Sequence, residues 1–322
     1  MLRIADMLTA QPTEMWELDR QLGVTEAVCN LPYADPSFDY ADFGQLSAIH
    51  ERFRKYGFHV SVIEGAPPNE KIKLGLPGRD EEIERFCALL EHMGKLGIEI
   101  MCYNFMPVLG WFRNETNIPS RGGALVTGYQ HSRTQGEPLT WAGEVTAERM
   151  WDNYTYFIRR VLPVAEKANV KLALHPDDPP ISPIRGIARI FISADDFSRA
   201  LSLYDSPYHG ITFCQGCFAT MCEDIPAVIR RFGKEKIFFV HFRDVEGDAS
   251  NFRETFHDAG KTDMRRALLT YIEAGVDAPI RVDHVPTMAG EENSKPGYMF
   301  KGRLYAIGYL RGLLEGLGQK TR

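Results

Sequence analysis

Four residues able to bind a metal ion close four short apolar runs in the second half of the chain. His175 ends VKLALH, Cys214 ends GITFC, His241 ends KIFFVH and Asp283 ends APIRVD. They stand 39, 27 and 42 residues apart, about one strand-helix unit each. Each run breaks at once into turn-forming sequence, PDDPP, QG, RDVEGD and HVPT. Alone, each of the four is more readily a packed or hydrogen-bonded residue. Together, at the ends of consecutive parallel strands, they would aim two imidazoles, a thiolate and a carboxylate into one mouth. Three or four protein ligands with room for a substrate is the requirement for a catalytic ion.

The neighbours of these residues extend the pattern. Residues two apart share a strand face, so Asp177 is expected to follow His175 into the mouth and Arg243 to follow His241. Asp283 and His284 are adjacent, so one points away unless the strand has already ended, as Pro286 indicates. His284 is then either an acid or base at the site or a partner that orients Asp283.

The elements that must position these groups follow from periodicity. Strands are expected at 2–7, 26–31, 58–64 and 98–105, ahead of the four ligand-bearing runs, which makes eight. Helices are expected at 43–56, 80–96, 146–168, 193–204, 221–232 and 262–274. Thr146 and Ser193 stand where N-caps belong, and Gly57, Gly97 and Gly275 where helices end. Eight strand-then-helix units in 322 residues is the count for an α/β (β/α)8 TIM barrel, whose active site lies at the C-terminal strand ends. A doubly wound sheet would carry a Gly-rich phosphate loop after an early strand, and GLPGRD at 75–80 lacks the spacing. The chain from 1 to 322 reads as a single domain. Residues 106–144 interrupt the rhythm without clear periodicity and carry Trp111 and Trp141. Placed after strand four, this long loop is expected to be a lid or an oligomer contact.

Composition narrows the function classes. A formal net charge of −6 with 25% charged residues argues against nucleic acid as a partner. No apolar run approaches the length of a membrane span, the start does not read as a signal peptide, and a cytoplasmic location is expected. Six cysteines in a chain this long are not a disulfide framework. Cys29, Cys87 and Cys102 read as core residues. Cys214 and Cys217 form a C-x-x-C with no second copy, which is neither a thioredoxin-type pair nor half a zinc site.

Several strings together resemble mannonate dehydratase: SVIEGAPPNEKIKLGLPGRD, MCYNFMPVLGW, LALHPDDPP, FCQG, FVHFRD, RVDHVPT and GYMFKGRLYAIGYLRGL. The resemblance runs from about Val60 to the end of the chain. It implies the same barrel, a homo-oligomer and a sugar-acid substrate. It further implies a divalent ion, most often manganese, held by His175, Cys214, His241 and Asp283, with His284 and Tyr298 performing the proton transfers. By softness the thiolate and two imidazoles also suit iron or zinc. Arg243 and Arg303 are candidate clamps for the substrate's charged end, and Asn104 and Trp111 candidate substrate contacts. Lys73 is read as a solvated surface charge, and Cys217 as a bystander. The chain departs from the family pattern at its start, RIADML, and at Gly110 before Trp111. Dehydration of another aldonic acid, a sugar isomerase or epimerase, and a metal-dependent sugar-acid binding protein are the competing readings.

Overall fold

Short β-branched and aromatic runs separated by amphipathic helices pair in parallel and close on themselves. The computed structural model describes residues 1–65 and 67–320. Strands β1 (Arg3–Thr9), β2 (Glu26–Asn30), β3 (His59–Glu64) and β4 (Ile100–Tyr103) come first, then β5 (Glu115–Pro119) and β6 (Leu125–Gln130). After these come β7 (Lys171–Leu174), β8 (His209–Cys214), β9 (Ile237–Phe242), β10 (Val245–Asp248), β11 (Asn251–Glu254) and β12 (Pro279–Val282). Eight of them form a closed barrel in the order β1-β12-β9-β8-β7-β4-β3-β2, the (β/α)8 architecture. Ala5, Val28, Val62, Ile100, Ala173 and Phe239, from six different strands, cluster together, as inward-facing residues of a filled barrel do. No helix among the described residues is long and apolar enough to cross a membrane.

The helices form where their faces and caps specify them. Helix Ala147–Ala168 buries Met150, Tyr154, Phe157, Ile158, Val161, Leu162 and Ala165, a stripe of helical period. Its N-cap Thr146 accepts a hydrogen bond from Arg149 N at 3.2 Å, and Ser193 does the same for Asp196 N at 3.2 Å. Helix Phe43–Tyr56 ends at Gly57, whose φ of 89° only glycine adopts without strain. The helix expected at 221–232 is displaced: Gln215–Thr220 forms one short helix and Ile225–Lys236 the next, begun by the N-cap Asp224.

The excursion after β4 is not structureless. β5 and β6 pair antiparallel within it, and β6 pairs with β11 to give a four-stranded sheet, β10-β11-β6-β5. Its stabilising partner comes from the loop after β9, so no local pattern announces it. β5 is short and holds Pro119, which suits an edge.

Candidate active site

The four strand-end residues meet at the C-terminal mouth. Cys214 lies in β8 and His241 in β9, where parallel pairing sets them side by side. His175 and Asp283 each stand one residue past a strand end. His175 Nε2 is 3.2 Å from His241 Nδ1, that Nδ1 is 3.5 Å from Asp283 Oδ2, and Asp283 Oδ2 is 4.0 Å from Cys214 Sγ. Donor atoms of Cys214, His241 and Asp283 all lie within 4.8 Å of one another, as do those of His175, Cys214 and Cys217.

The surroundings set which atoms face inward. His175 Nδ1 sits 2.7 Å from the Pro176 carbonyl, so it carries the proton and Nε2 presents its lone pair. His241 Nε2 lies 3.4 Å from Glu64 Oε1, and its Nδ1 faces His175 and Asp283. The two facing ring nitrogens, 3.2 Å apart beside a carboxylate, are an arrangement that a cation or a shared proton satisfies. Charge agrees. Asp283, Glu64, Asp178, Glu254 and Cys214 form one connected buried cluster with the guanidinium groups of Arg281, Arg243 and Arg113. With neutral imidazoles and an ionised thiol the cluster lacks two positive charges, the charge of one divalent ion. Burial and Arg281 disfavour a charged His241, but Glu64 and Asp283 outweigh them and hold its imidazole well above the usual range. The site attracts positive charge.

A guanidinium shell surrounds the donors. Arg281 forks onto Glu64 at 2.7 and 2.5 Å and reaches Asp283 Oδ1 at 2.9 Å. Burial alone would raise Glu64, yet Arg281 and His241 hold it at about 2. Arg281 stands two residues before Asp283, and strand alternation is the signal that could have marked it. The expectation that Arg243 clamps substrate is overturned. Arg243 is fully buried, its Nε and Nη2 donate to Glu254 at 2.8 and 2.7 Å, and its Nη1 donates to Asp178 at 2.8 Å. Nη1 also lies 3.5 Å from Cys214 Sγ and 3.4 Å from Cys217 Sγ. Burial would raise the Cys214 thiol, but the Cys217 thiol and the Arg243 charge push it well below its ordinary value. Cys217, read above as a bystander, lies against the same guanidinium, and burial with the neighbouring Cys214 raises its thiol well above the ordinary value. Asp177 also departs from expectation. It turns away to accept Ile190 N and Phe191 N at 2.8 and 3.0 Å, because β7 ends at Leu174 and alternation stops there. Asp178 takes the inward place.

This shell predicts a stability effect. Arg243→Met leaves Asp178 and Glu254 with only Arg113, and removing one partner of a buried pair costs about 3–5 kcal/mol. The urea midpoint of the metal-free variant should fall accordingly. Arg243→Lys should recover only part, since lysine lacks the planar fork. An unchanged midpoint in Arg243→Met would remove the shell from the account.

His284 and Tyr298 flank the donors. His284 has φ 41°, a left-handed conformation that breaks strand alternation and lets it face the mouth along with Asp283. Its Nε2 is 3.6 Å from Asp283 Oδ2 and 3.4 Å from Tyr298 Oη. Burial lowers the imidazole despite Asp283, and burial with Asp283 raises the Tyr298 phenol well above its usual value. Trp111 comes in from the excursion and stacks on His284, with ring centroids 5.0 Å apart and planes at 12°. These residues, with Asn104, line a pocket of about 100 Å³.

The remaining candidates lie further out. Lys73 is buried, not a surface charge. Burial pushes its amine down to about 8, against the pull of Glu70, and Nζ donates to Asn104 Oδ1 at 3.3 Å. Met106 N donates to the same oxygen at 3.2 Å, so the free end of the Asn104 amide is its NH2 donor. Arg303 is anchored through Nη2 by Asp6 and by the Met7 carbonyl and lines a larger, neighbouring cavity.

Comparison with known proteins places this site. A family model described as D-mannonate dehydratase (UxuA) matches residues 9–141 and 135–322. Mannonate dehydratase 2 of Halalkalibacterium halodurans is 35% identical over 301 residues, covering 85% of this chain and 87% of that protein. Mannonate dehydratase of Thermotoga maritima is 33% identical over 340 residues, 94% of each. The crystal structure of mannonate dehydratase from Streptococcus suis serotype2 superimposes with a TM-score of 0.90 at 29% identity, over 99% of this chain and 95% of that one. An L-ribulose 3-epimerase at 14% identity and a TM-score of 0.63 shares the barrel fold alone. The chain belongs to the mannonate dehydratase family.

Proposed function

We propose that the protein is a metal-dependent hydro-lyase that converts D-mannonate to 2-keto-3-deoxy-D-gluconate and water. The observation that carries this reading is the convergence of His175, Cys214, His241 and Asp283 beside a His284–Tyr298 pair 3.4 Å apart in a chain of this family. Those four residues hold the ion, for which manganese is the expected occupant, with iron and zinc compatible with the donors. The excursion at 106–144 acts as a lid, and a homo-oligomer belongs to the same reading.

The reaction removes the proton at C2 and the hydroxyl at C3, and the enol so formed becomes the 2-keto product. The C2 proton lies beside a carboxylate, so its removal leaves two adjacent negative charges. When bound, the divalent ion offsets that charge and templates the carboxylate end. His284 and Tyr298 divide the two proton transfers, one withdrawing the C2 proton and the other protonating the departing hydroxyl. Trp111 fixes the plane of the His284 ring and keeps water from it. Asn104, its oxygen occupied by Lys73 and Met106, offers its NH2 group to a substrate oxygen. Arg243, Cys217 and Arg281 keep the thiolate and carboxylate ionised and oriented.

The test is a panel of aldonic acids incubated with protein loaded in turn with manganese, iron or zinc, assayed for 2-keto-3-deoxy products. Mannonate is expected to be turned over in preference to its C2 and C3 epimers. Turnover of another acid alone would move the assignment, and metal-dependent binding without turnover would favour a sugar-acid binding protein.

A further inference from the structure

The metal donors occupy only one side of the barrel mouth. Cys214 and His241 are in register on β8 and β9, with His175 and Asp283 on flanking strands. On the opposite side, parallel register aligns Thr9 with Asn30 and Asn30 with Glu64 at the tops of β1, β2 and β3. Over this second half lies a cavity of about 480 Å³, lined by Thr9, Asn30, Lys295 and Arg303 among others. It shares Glu64, Gly65 and Tyr298 with the pocket beside the metal donors, so the two adjoin.

The pocket at the donors, about 100 Å³, is the smaller of the two, and the adjoining cavity of about 480 Å³ offers further room for an aldonic acid whose carboxylate and reacting carbons lie at the donors. Building on the dehydratase reading above, we infer that the substrate's unreactive carbons run past Glu64 and Gly65 into the β1–β2 half of the mouth, where Thr9, Asn30 and Arg303 read its distal hydroxyls.

The polar groups there are disposed for a neutral polyol. Arg303 is fixed through Nη2 by Asp6 and the Met7 carbonyl, while its Nε and Nη1 have no partner among the described residues. Asp6 balances its charge. Asn30 makes no side-chain hydrogen bond among the described residues, and Thr9 donates its hydroxyl to Gln11 O at 2.8 Å, leaving its oxygen to accept. Donors and acceptors are therefore both present in a cavity whose lining also includes the apolar Met7, Leu8 and Phe300 and the charged Glu64 and Lys295. A subsite of this kind discriminates by the polar groups left unpaired when a hydroxyl is missing.

The experiment compares D-mannonate with D-lyxonate, a five-carbon acid of the same configuration at the reacting carbons. Metal-loaded wild type should favour the six-carbon acid in kcat/KM. In Asn30→Leu, an exposed strand-end position, that preference should fall by about fivefold or more, mainly through KM for mannonate. Thr9→Val should move it the same way by a smaller factor. An unchanged preference in Asn30→Leu, or a loss carried wholly by kcat on both acids, would overturn the subsite. If wild type turns over neither acid, the dehydratase reading fails by itself. The subsite is then judged by calorimetric binding of both acids, where an Asn30→Leu preference equal to that of wild type overturns it and a reduced one supports it.

Discussion

Cys214→Ser protein, loaded with manganese beside wild type, is expected to lose metal affinity by on the order of a hundredfold or more, and with it nearly all turnover at limiting metal. Changes to residues that merely orient a ligand cost about 10–100-fold in affinity, and replacing the ligand itself should exceed that. Serine keeps the shape of the side chain but stays a neutral hydroxyl at pH 7, so it cannot supply the anion. The surrounding structure is set up for that anion: Arg243 Nη1 lies 3.5 Å from Sγ, and Cys217 is held protonated beside it. Removing the thiolate therefore leaves a guanidinium facing the donor set with no anion between them. Metal content after dialysis against a fixed free-metal concentration, measured by elemental analysis, reads this directly. Wild-type metal content with wild-type turnover would remove Cys214 from the donor set. Cys217→Ala separates the two thiols: it should retain the ion but bind it more weakly, because a donor to the thiolate has been removed.

The convergence of His175, Cys214, His241 and Asp283 was legible in the sequence because each is tied to a local signal, a short apolar run ending at a turn. The barrel was legible for the same reason, since strand and helix periods are written within each unit. What could not be read was the layer behind the donors. Glu254 reaches Arg243 from a hairpin, Arg113 reaches Asp178 from the excursion, and both contacts join segments with no periodic relation. Alternation also failed where strands stop. Asp177 was expected to point inward, but β7 had ended at Leu174, and Asp178 serves instead. At β12 the opposite happened: Pro286 marked the strand's end, and His284 does turn, through φ 41°, to face the mouth. Arg243 was placed on the correct face, but its partners decide its role, and those lie 65 and 11 residues away in sequence. Lys73 shows the limit of composition, since nothing nearby in sequence marks an amine that the fold buries.

Replacing either member of the His284–Tyr298 pair should separate chemistry from metal binding. In His284→Asn and in Tyr298→Phe, kcat is expected to fall by about 10²–10⁴, the usual contribution of a positioned acid or base, with metal content retained and KM changed little. Neither substitution touches the four proposed donors, and Phe keeps the ring that packs against His284 at 5.0 Å between centroids. The double variant should be scarcely worse than the poorer single one, because two groups serving one elimination act as a unit. The two singles are told apart by following the C2 proton of mannonate in deuterated water. The variant lacking the base should show neither product nor exchange. The variant lacking the acid can still withdraw the proton, and return of deuterium to C2 should outpace water loss. Loss of metal in either variant would reassign that residue to the donor set, and near-normal kcat in both would place the proton transfers on other groups. His284 carries a second expectation, because its left-handed backbone is held among packed neighbours. Asparagine tolerates that conformation better than a β-branched residue, so His284→Asn should fold where His284→Val unfolds at lower urea. A kcat loss in the well-folded asparagine variant is therefore attributable to the missing imidazole.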